Sequence, residues 1–83
     1  MSKINEIVTI FPNPNKGIVN INFIQNKQVS AEYVILNLNG QQLMKGELLS
    51  SFTEIDIRNF STGTYIVRIR FDGITLSWKI LKM

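Results

Sequence analysis

Gly63-Thr64-Tyr65-Ile66-Val67-Arg68-Ile69-Arg70-Phe71-Asp72-Gly73-Ile74-Thr75-Leu76-Ser77-Trp78-Lys79-Ile80 is the stretch that decides the fold of this chain. Asp72-Gly73 suits the two φ > 0 positions of a type I′ turn, and β-branched and aromatic residues alternate on either side of it. A two-residue turn at that point sets the register. Phe71 then faces Ile74, Ile69 faces Leu76, Val67 faces Trp78 and Tyr65 faces Ile80, all on one side. The opposite side pairs Arg70 with Thr75, Arg68 with Ser77, and Ile66 with Lys79. A slip by one residue would carry Arg68 and Arg70 into the core, so the pattern specifies a hairpin with one buried and one wet face. It predicts that Tyr65 and Trp78 are buried.

The remaining length bounds what this hairpin can pack against. Eighty-three residues make a single domain spanning 1–83. At that size roughly 60% of the surface of the unfolded chain is buried on folding. The chain has no cysteine and no histidine. It therefore lacks disulfides, thiolate ligands, and the residue that most often serves as general base or metal ligand. The longest uninterrupted aliphatic run is Val34-Ile35-Leu36, far short of a membrane span. Met1-Ser2-Lys3-Ile4-Asn5-Glu6 has no apolar block of the signal-peptide kind. The expectation is either a protein that stays inside the cell or a domain of a longer exported chain. In the second case Met1 is added for expression and residues 1–6 form a disordered lead.

Charge is unevenly distributed. Residues 1–63 carry five basic and five acidic side chains, whereas residues 64–83 carry Arg68, Arg70, Lys79 and Lys82 against Asp72 alone. The whole net charge of +3 thus sits on the closing hairpin. A solvated, aggregation-resistant face is the plain reading; an anionic contact or docking surface is the functional one.

Upstream, Ile7-Val8-Thr9-Ile10-Phe11 is a β-rich run halted by Pro12-Asn13-Pro14-Asn15-Lys16-Gly17. Neither proline can donate to a ladder, and each extends the residue before it. Gly17 is free to take positive φ, so the segment reads as a rigid corner between strands. Val19, Ile21 and Phe23 alternate with Asn20 and Asn22 as a half-buried strand. Gln25 to Ser30 is a polar turn, and Ala31 to Leu38 is the next strand. Two readings compete at Asn37-Leu38-Asn39-Gly40. A two-residue Asn39-Gly40 loop pairs Leu36 with Leu43. A three-residue loop, with a type I turn from Asn37 and Gly40 as a G1 bulge, pairs Ile35 with Leu43. The second is preferred because it turns Tyr33 and Ile35 toward the core, although Val34 and Leu36 then need other cover. Gln41 to Leu49 has helix-forming composition, but Gly46 and the preceding turn favour a strand. Phe52 to Ile57 supplies a sixth run, and Arg58 to Gly63 turns into the hairpin. Asn59-Phe60-Ser61 fits the N-glycosylation acceptor pattern, which recurs by chance and carries little weight. About seven strands separated by regular turn signals predict an all-β, immunoglobulin-like antiparallel β-sandwich.

Little chemistry is available to it. The six acidic residues show no ligand-like spacing, so no metal and no cofactor is expected. Glu54 and Asp56 share an outer strand face, where a weak cation site is far less common than plain exposure. Ser50, Ser51 and Ser61 have no histidine or Ser-x-x-Lys lysine to activate them, and no glycine-rich loop opens a helix. No catalytic residue is assigned. Nucleic-acid binding would need basic and aromatic side chains on one face, but Arg68, Arg70 and Lys79 lie opposite Tyr65, Phe71 and Trp78. No nucleic-acid partner is expected, and an OB-like barrel is the remote alternative.

Three blocks carry a resemblance. Ile10-Phe11-Pro12-Asn13-Pro14-Asn15-Lys16-Gly17 precedes an alternating strand. Val34-Ile35-Leu36-Asn37-Leu38-Asn39-Gly40 turns into Gln41-Gln42-Leu43. Ile55-Asp56-Ile57 leads to Gly63-Thr64-Tyr65-Ile66-Val67-Arg68-Ile69, and the chain finishes on Lys79-Ile80-Leu81-Lys82. In this order over residues 8–82, the blocks resemble the type A C-terminal sorting domain of the type IX (Por) secretion system of Bacteroidota. The family motif falls on Pro12, Asn13, Pro14, Gly17, Asn37, Gly40, Gly63, Tyr65 and Val67. Departures are small: Leu36 stands where the family often has Tyr, Asn37 where Asp is common, and Trp78 is bulkier than usual.

The resemblance implies a non-catalytic address label, covalently part of a larger cargo protein. Such a label is handled by the type IX translocon and its sortase, passing through the periplasm to the outer-membrane surface or the medium. Its expected recognition residues are Lys79, Ile80, Leu81 and Lys82, with Arg68 and Arg70 beside them. A free terminal-strand edge is expected to add to a partner's sheet, and the same edge would permit a homodimer by strand pairing or exchange. The competing function is an accessory sandwich that binds carbohydrate or protein within a larger surface enzyme, which requires a concave face with exposed aromatics.

Overall fold

Asp72 and Gly73 take φ of 50° and 75°, the positive pair that a type I′ turn demands. The hairpin they close has the register set by that turn at every paired position, from Phe71↔Ile74 through Gly63↔Lys82. The computed structural model describes residues 8–23 and 30–83. Its strands are β1 (Val8–Phe11), β2 (Ile18–Phe23), β3 (Ala31–Leu36), β4 (Gln42–Glu47), β5 (Phe52–Asp56), β6 (Gly63–Phe71) and β7 (Ile74–Lys82). Residues 1–6 and most of the polar turn expected before Ser30 lie outside the described residues.

The strands form two antiparallel sheets, one ordered β1-β2-β5 and the other β4-β3-β6-β7. Neither sheet can bury both faces in a chain this short, so each turns one apolar face to the other. Val19, Ile21, Phe23 and Ile55 from the first sheet meet Ile35, Tyr65, Val67, Ile69 and Phe71 from the second. Phe23 and Phe71 join the layers edge to face, with ring centroids 5.0 Å apart. Leu48 and Ile57, in the connections on either side of β5, close the same cluster. Each such fully buried aliphatic side chain contributes about 1.5–3 kcal/mol through the area it removes from water.

At the β3–β4 hairpin the three-residue loop forms: Gly40 N–H donates to Asn37 O at 3.0 Å, Asn37 N–H to Gln41 O at 3.0 Å, and Gly40 has φ 86°. The expected pairing of Ile35 with Leu43 is corrected, however. A second bulge between Ile35 and Leu36 sets Leu36 opposite Gln42 and Ile35 opposite Met44, leaving Leu43 as the extra residue. Without it Lys45 would face Tyr33 on the core side. With it Lys45 turns outward beside Val34, and Gly46 comes to lie against Tyr33. A Cβ on Gly46 would approach the Tyr33 ring to 2.7 Å, so only glycine leaves the ring its place. Val34 and Leu36 are buried on the outer face by cross-strand neighbours, Arg68 and Lys45 about the first, Ile66 and Gln42 about the second.

Tyr65 is buried as expected, but Trp78 is not: it is half-buried, as is Leu76, and Ile74 is 38% exposed. β7 is an edge strand, so the facing three-stranded sheet covers its inner side chains incompletely. Sequence alternation reports which face a residue is on, not whether the opposite sheet extends over it.

Candidate functional site

The Pro-Asn-Pro corner does more than turn the chain. Asn13 and Asn15 cross to the outer edge of β7 and bind its last residues. The Asn13 carboxamide donates to Lys79 O at 3.0 Å and accepts from Leu81 N–H at 2.9 Å. A residue in a parallel strand makes that pair of bonds with its main chain; here a side chain makes it, centred on Ile80. Two residues on, Asn15 makes the same pair with its own backbone: its N–H donates to Leu81 O at 2.9 Å, and its O accepts from Met83 N–H at 2.8 Å. The outcome is a parallel bridge between Asn15 and Lys82.

Asn15 is 2% exposed and its side chain is fully engaged. Oδ1 accepts from Gly17 N–H at 2.9 Å and Nδ2 donates to Leu81 O at 3.2 Å. Gly17 has φ 120°, and a Cβ there would meet Arg58 Cγ at 2.5 Å and its Cα at 3.0 Å. The tight approach lets Gly17 O accept from Ile57 N–H at 2.7 Å, which ties the strap to the end of β5.

The other motif residues are local devices. Asn37 Oδ1 accepts from Asn39 N–H at 3.0 Å and Gln41 N–H at 2.9 Å, holding the β3–β4 loop. Tyr65 O–H donates to Ser61 O at 2.5 Å, four residues back, in the manner of the tyrosine corner of immunoglobulin-like sandwiches. Phe60 packs on the Tyr65 ring with centroids 5.3 Å apart. Val67 is wholly buried.

The six expected recognition residues are split by the fold. Ile80 is a core residue, and Lys82 is 8% exposed on the same face of β7, opposite Gly63. Lys82 is thus far less accessible than Lys79, and the edge from Lys79 to Met83, expected to be free, is occupied. Arg68, Arg70, Lys79 and Leu81 lie on the outer face of the four-stranded sheet. Arg70 pairs with Glu32 at 3.6 Å, an exposed contact of little energetic weight. Lys79 and Arg68 therefore stand with Lys45 around a strip formed by Val34, Leu36 and Ile66, with Leu81 beside it.

Elsewhere the chemistry is sparse. Among the described residues no group of three potential ligands could hold a metal ion. An open depression of about 680 Å³ at the β6–β7 turn has Glu32, Glu47, Arg70 and Asp72 among its lining residues, with no nucleophile–base pair. Asp56 accepts from the Arg58 guanidinium at 2.8 and 3.0 Å and from Arg58 N–H at 2.9 Å, which lowers its pKa to about 2. Phe11 and Phe52 are exposed on the outer face of the three-stranded sheet, 6.5 Å apart between centroids and tilted by 50°. The sequence reading missed this pair because Phe11 alternates outward on a strand of only four residues. It also missed the strap, since two asparagines separated by a proline carry no signal of the strand they reach.

Comparison with known proteins gives two matches of different reach. A family model described as a secretion system C-terminal sorting domain matches residues 9–83. The fold is similar to that of a DUF3244-family protein of Bacteroides vulgatus with an immunoglobulin-like β-sandwich: TM-score 0.78, 16% identity, 93% of this chain and 85% of the other covered. At that identity the likeness concerns fold alone. No curated protein matches the chain.

Proposed function

The chain belongs to the family of secretion-system C-terminal sorting domains, and from that premise we propose how it acts. It is a type IX sorting domain and addresses a larger protein toward the cell surface or the extracellular space. The proposal is that it does so as a passive label: a cargo already in the periplasm is selected by the translocon through this domain, and the sortase then acts on the cargo. The domain itself performs no reaction. The selecting surface is the outer face of β4-β3-β6-β7, where Arg68, Lys79 and Lys45 surround Val34, Leu36 and Ile66, and Leu81 is exposed.

One observation carries this choice. Of the basic residues at the end of the chain, Lys82 is turned inward and Arg70 is paired, which leaves Arg68 and Lys79 exposed or half-exposed beside an apolar strip. Such a face gives a partner apolar area for affinity and charge for orientation.

The test is a fusion of residues 1–83 to the C-terminus of a periplasmic reporter, displayed in hosts with and without the type IX machinery. Display in the competent host alone is expected; equal display in both would sink the sorting assignment. Arg68→Glu with Lys79→Glu should keep the fold and lower display by at least about tenfold, since reversed charges oppose docking. Undiminished display of a folded double variant would move recognition off this face.

A further inference from the structure

β7 offers a second surface, its backbone edge. Positions paired across the β6–β7 hairpin alternate between bonding to β6 and pointing away. Lys79, Leu81 and Met83 point outward, because their main-chain groups are the ones the strap takes. By the same alternation Thr75 and Ser77 point outward too, both are exposed, and among the described residues nothing bonds to their main chain from that side. One continuous edge thus runs from Thr75 to Met83 with only its last two bridge positions filled.

The strap is a poor strand. Pro12 and Pro14 have no N–H, so it offers one backbone donor and one backbone acceptor, both from Asn15, and supplements them with the Asn13 side chain. An ordinary extended segment in the same orientation would bridge at Leu76, Trp78, Ile80 and Lys82, twice as many positions. Its inward side chains would also cover Ile74, Leu76 and Trp78, which the facing sheet leaves partly bare. Open main chain and uncovered apolar side chains coincide on the same strand.

We propose that the outer edge of β7, Thr75 to Met83, receives an extended segment of a partner protein running parallel to β7, and that the Asn13–Asn15 strap holds the last two bridge positions until that segment displaces it. The segment has apolar residues alternating toward the sandwich and an acidic or polar residue near Lys79. This deepens the sorting assignment by naming the manner of attachment, and rests on it only for the identity of the partner.

Two measurements on the unaltered chain test the idea without using export. Native-state hydrogen exchange should show the Leu81 and Met83 amides exchanging at least about tenfold faster than those of Val67 and Ile69, because a placeholder opens locally. Equal rates would mean that the strap opens only with the whole domain, and would overturn the placeholder. The second probe is an end-blocked peptide, Asp-Val-Thr-Val-Thr-Val-Asp, carrying a nitroxide at its N-terminus. At concentrations on the order of millimolar it should perturb amides along β7 and broaden Thr75 and Ser77 first. Broadening that centres on Met83 refutes the parallel orientation. No perturbation of β7, perturbation of another edge, or concentration-dependent shifts of β7 without peptide (a second copy on the edge) refutes the proposed occupant. The reporter fusion fails or succeeds independently of either measurement.

Discussion

Asn13 Oδ1 accepts the backbone N–H of Leu81 at 2.9 Å, across a sequence separation of 68. With the bonds of Asn15, it joins the first motif of the chain to its last residues. The Pro-Asn-Pro block and the basic-aliphatic terminus are therefore the two halves of one contact. This contact engages the outer main-chain edge of β7 beside Ile80 and Lys82, whose side chains the hairpin register places on the core face.

Asn15→Ala removes an acceptor from the buried Gly17 N–H and a donor to Leu81 O. An orphaned buried amide costs about 1–3 kcal/mol, so chemical denaturation should show a loss of about 2 kcal/mol. Asn13→Ala, which opens more exposed bonds, should cost about 1 kcal/mol or less. If Asn13→Ala proved the costlier of the two, Asn15 would not be the anchor of the strap.

Gly17→Ala meets two obstacles together: a left-handed backbone at φ 120°, and the Arg58 backbone 3.0 Å from the new Cβ. Strain and overpacking together should cost about 3 kcal/mol. A thermal melt within a degree of the parent would contradict the tight passage between the strap and the end of β5.

Tyr65→Phe keeps the ring against Phe60 and deletes only the O–H bond to Ser61 O. The expected loss is about 1 kcal/mol, with Ser61–Gly63 loosened. Unchanged stability together with unchanged amide exchange from Ser61 to Gly63 would assign the corner to ring packing alone.

Asp56 has its pKa lowered from 3.8 to about 2 by hydrogen bonds from the Arg58 side chain and backbone. Its carboxylate is deprotonated more readily in the folded than in the unfolded state. Its contribution is therefore present above the unfolded pKa of about 3.9 and is lost as pH falls through the folded one. Asp56→Asn should be less stable than the parent at pH 6, and the gap should close as pH falls from about 4 to about 2. A gap that stays constant across that window would show that the carboxylate charge is immaterial. Both side chains are more than half exposed, so the effect is small and weakens with salt.

The all-β class, the closing hairpin and its register were legible because the information is local. Asp72-Gly73 admits one tight turn, and the period of two then assigns each residue from Tyr65 to Ile80 to a face. The Asn37–Gly40 loop was legible for the same reason. The β3–β4 register beyond it was not, because the bulge at Leu43 answers a tertiary demand: Lys45 must leave the core side, and Tyr33 needs Gly46 opposite.

The closing hairpin shows where sequence stops. By itself the chain determined that Tyr65, Val67, Ile69, Phe71, Leu76, Trp78 and Ile80 share one face and that the basic excess lies on this hairpin. Alternation follows from strand geometry, which needs no partner. Tertiary structure alone decided how much of that face is covered and what occupies the edge. Those depend on β7 lying at the end of its sheet and on two asparagines from the start of the chain reaching its last residues, a contact that no local pattern encodes.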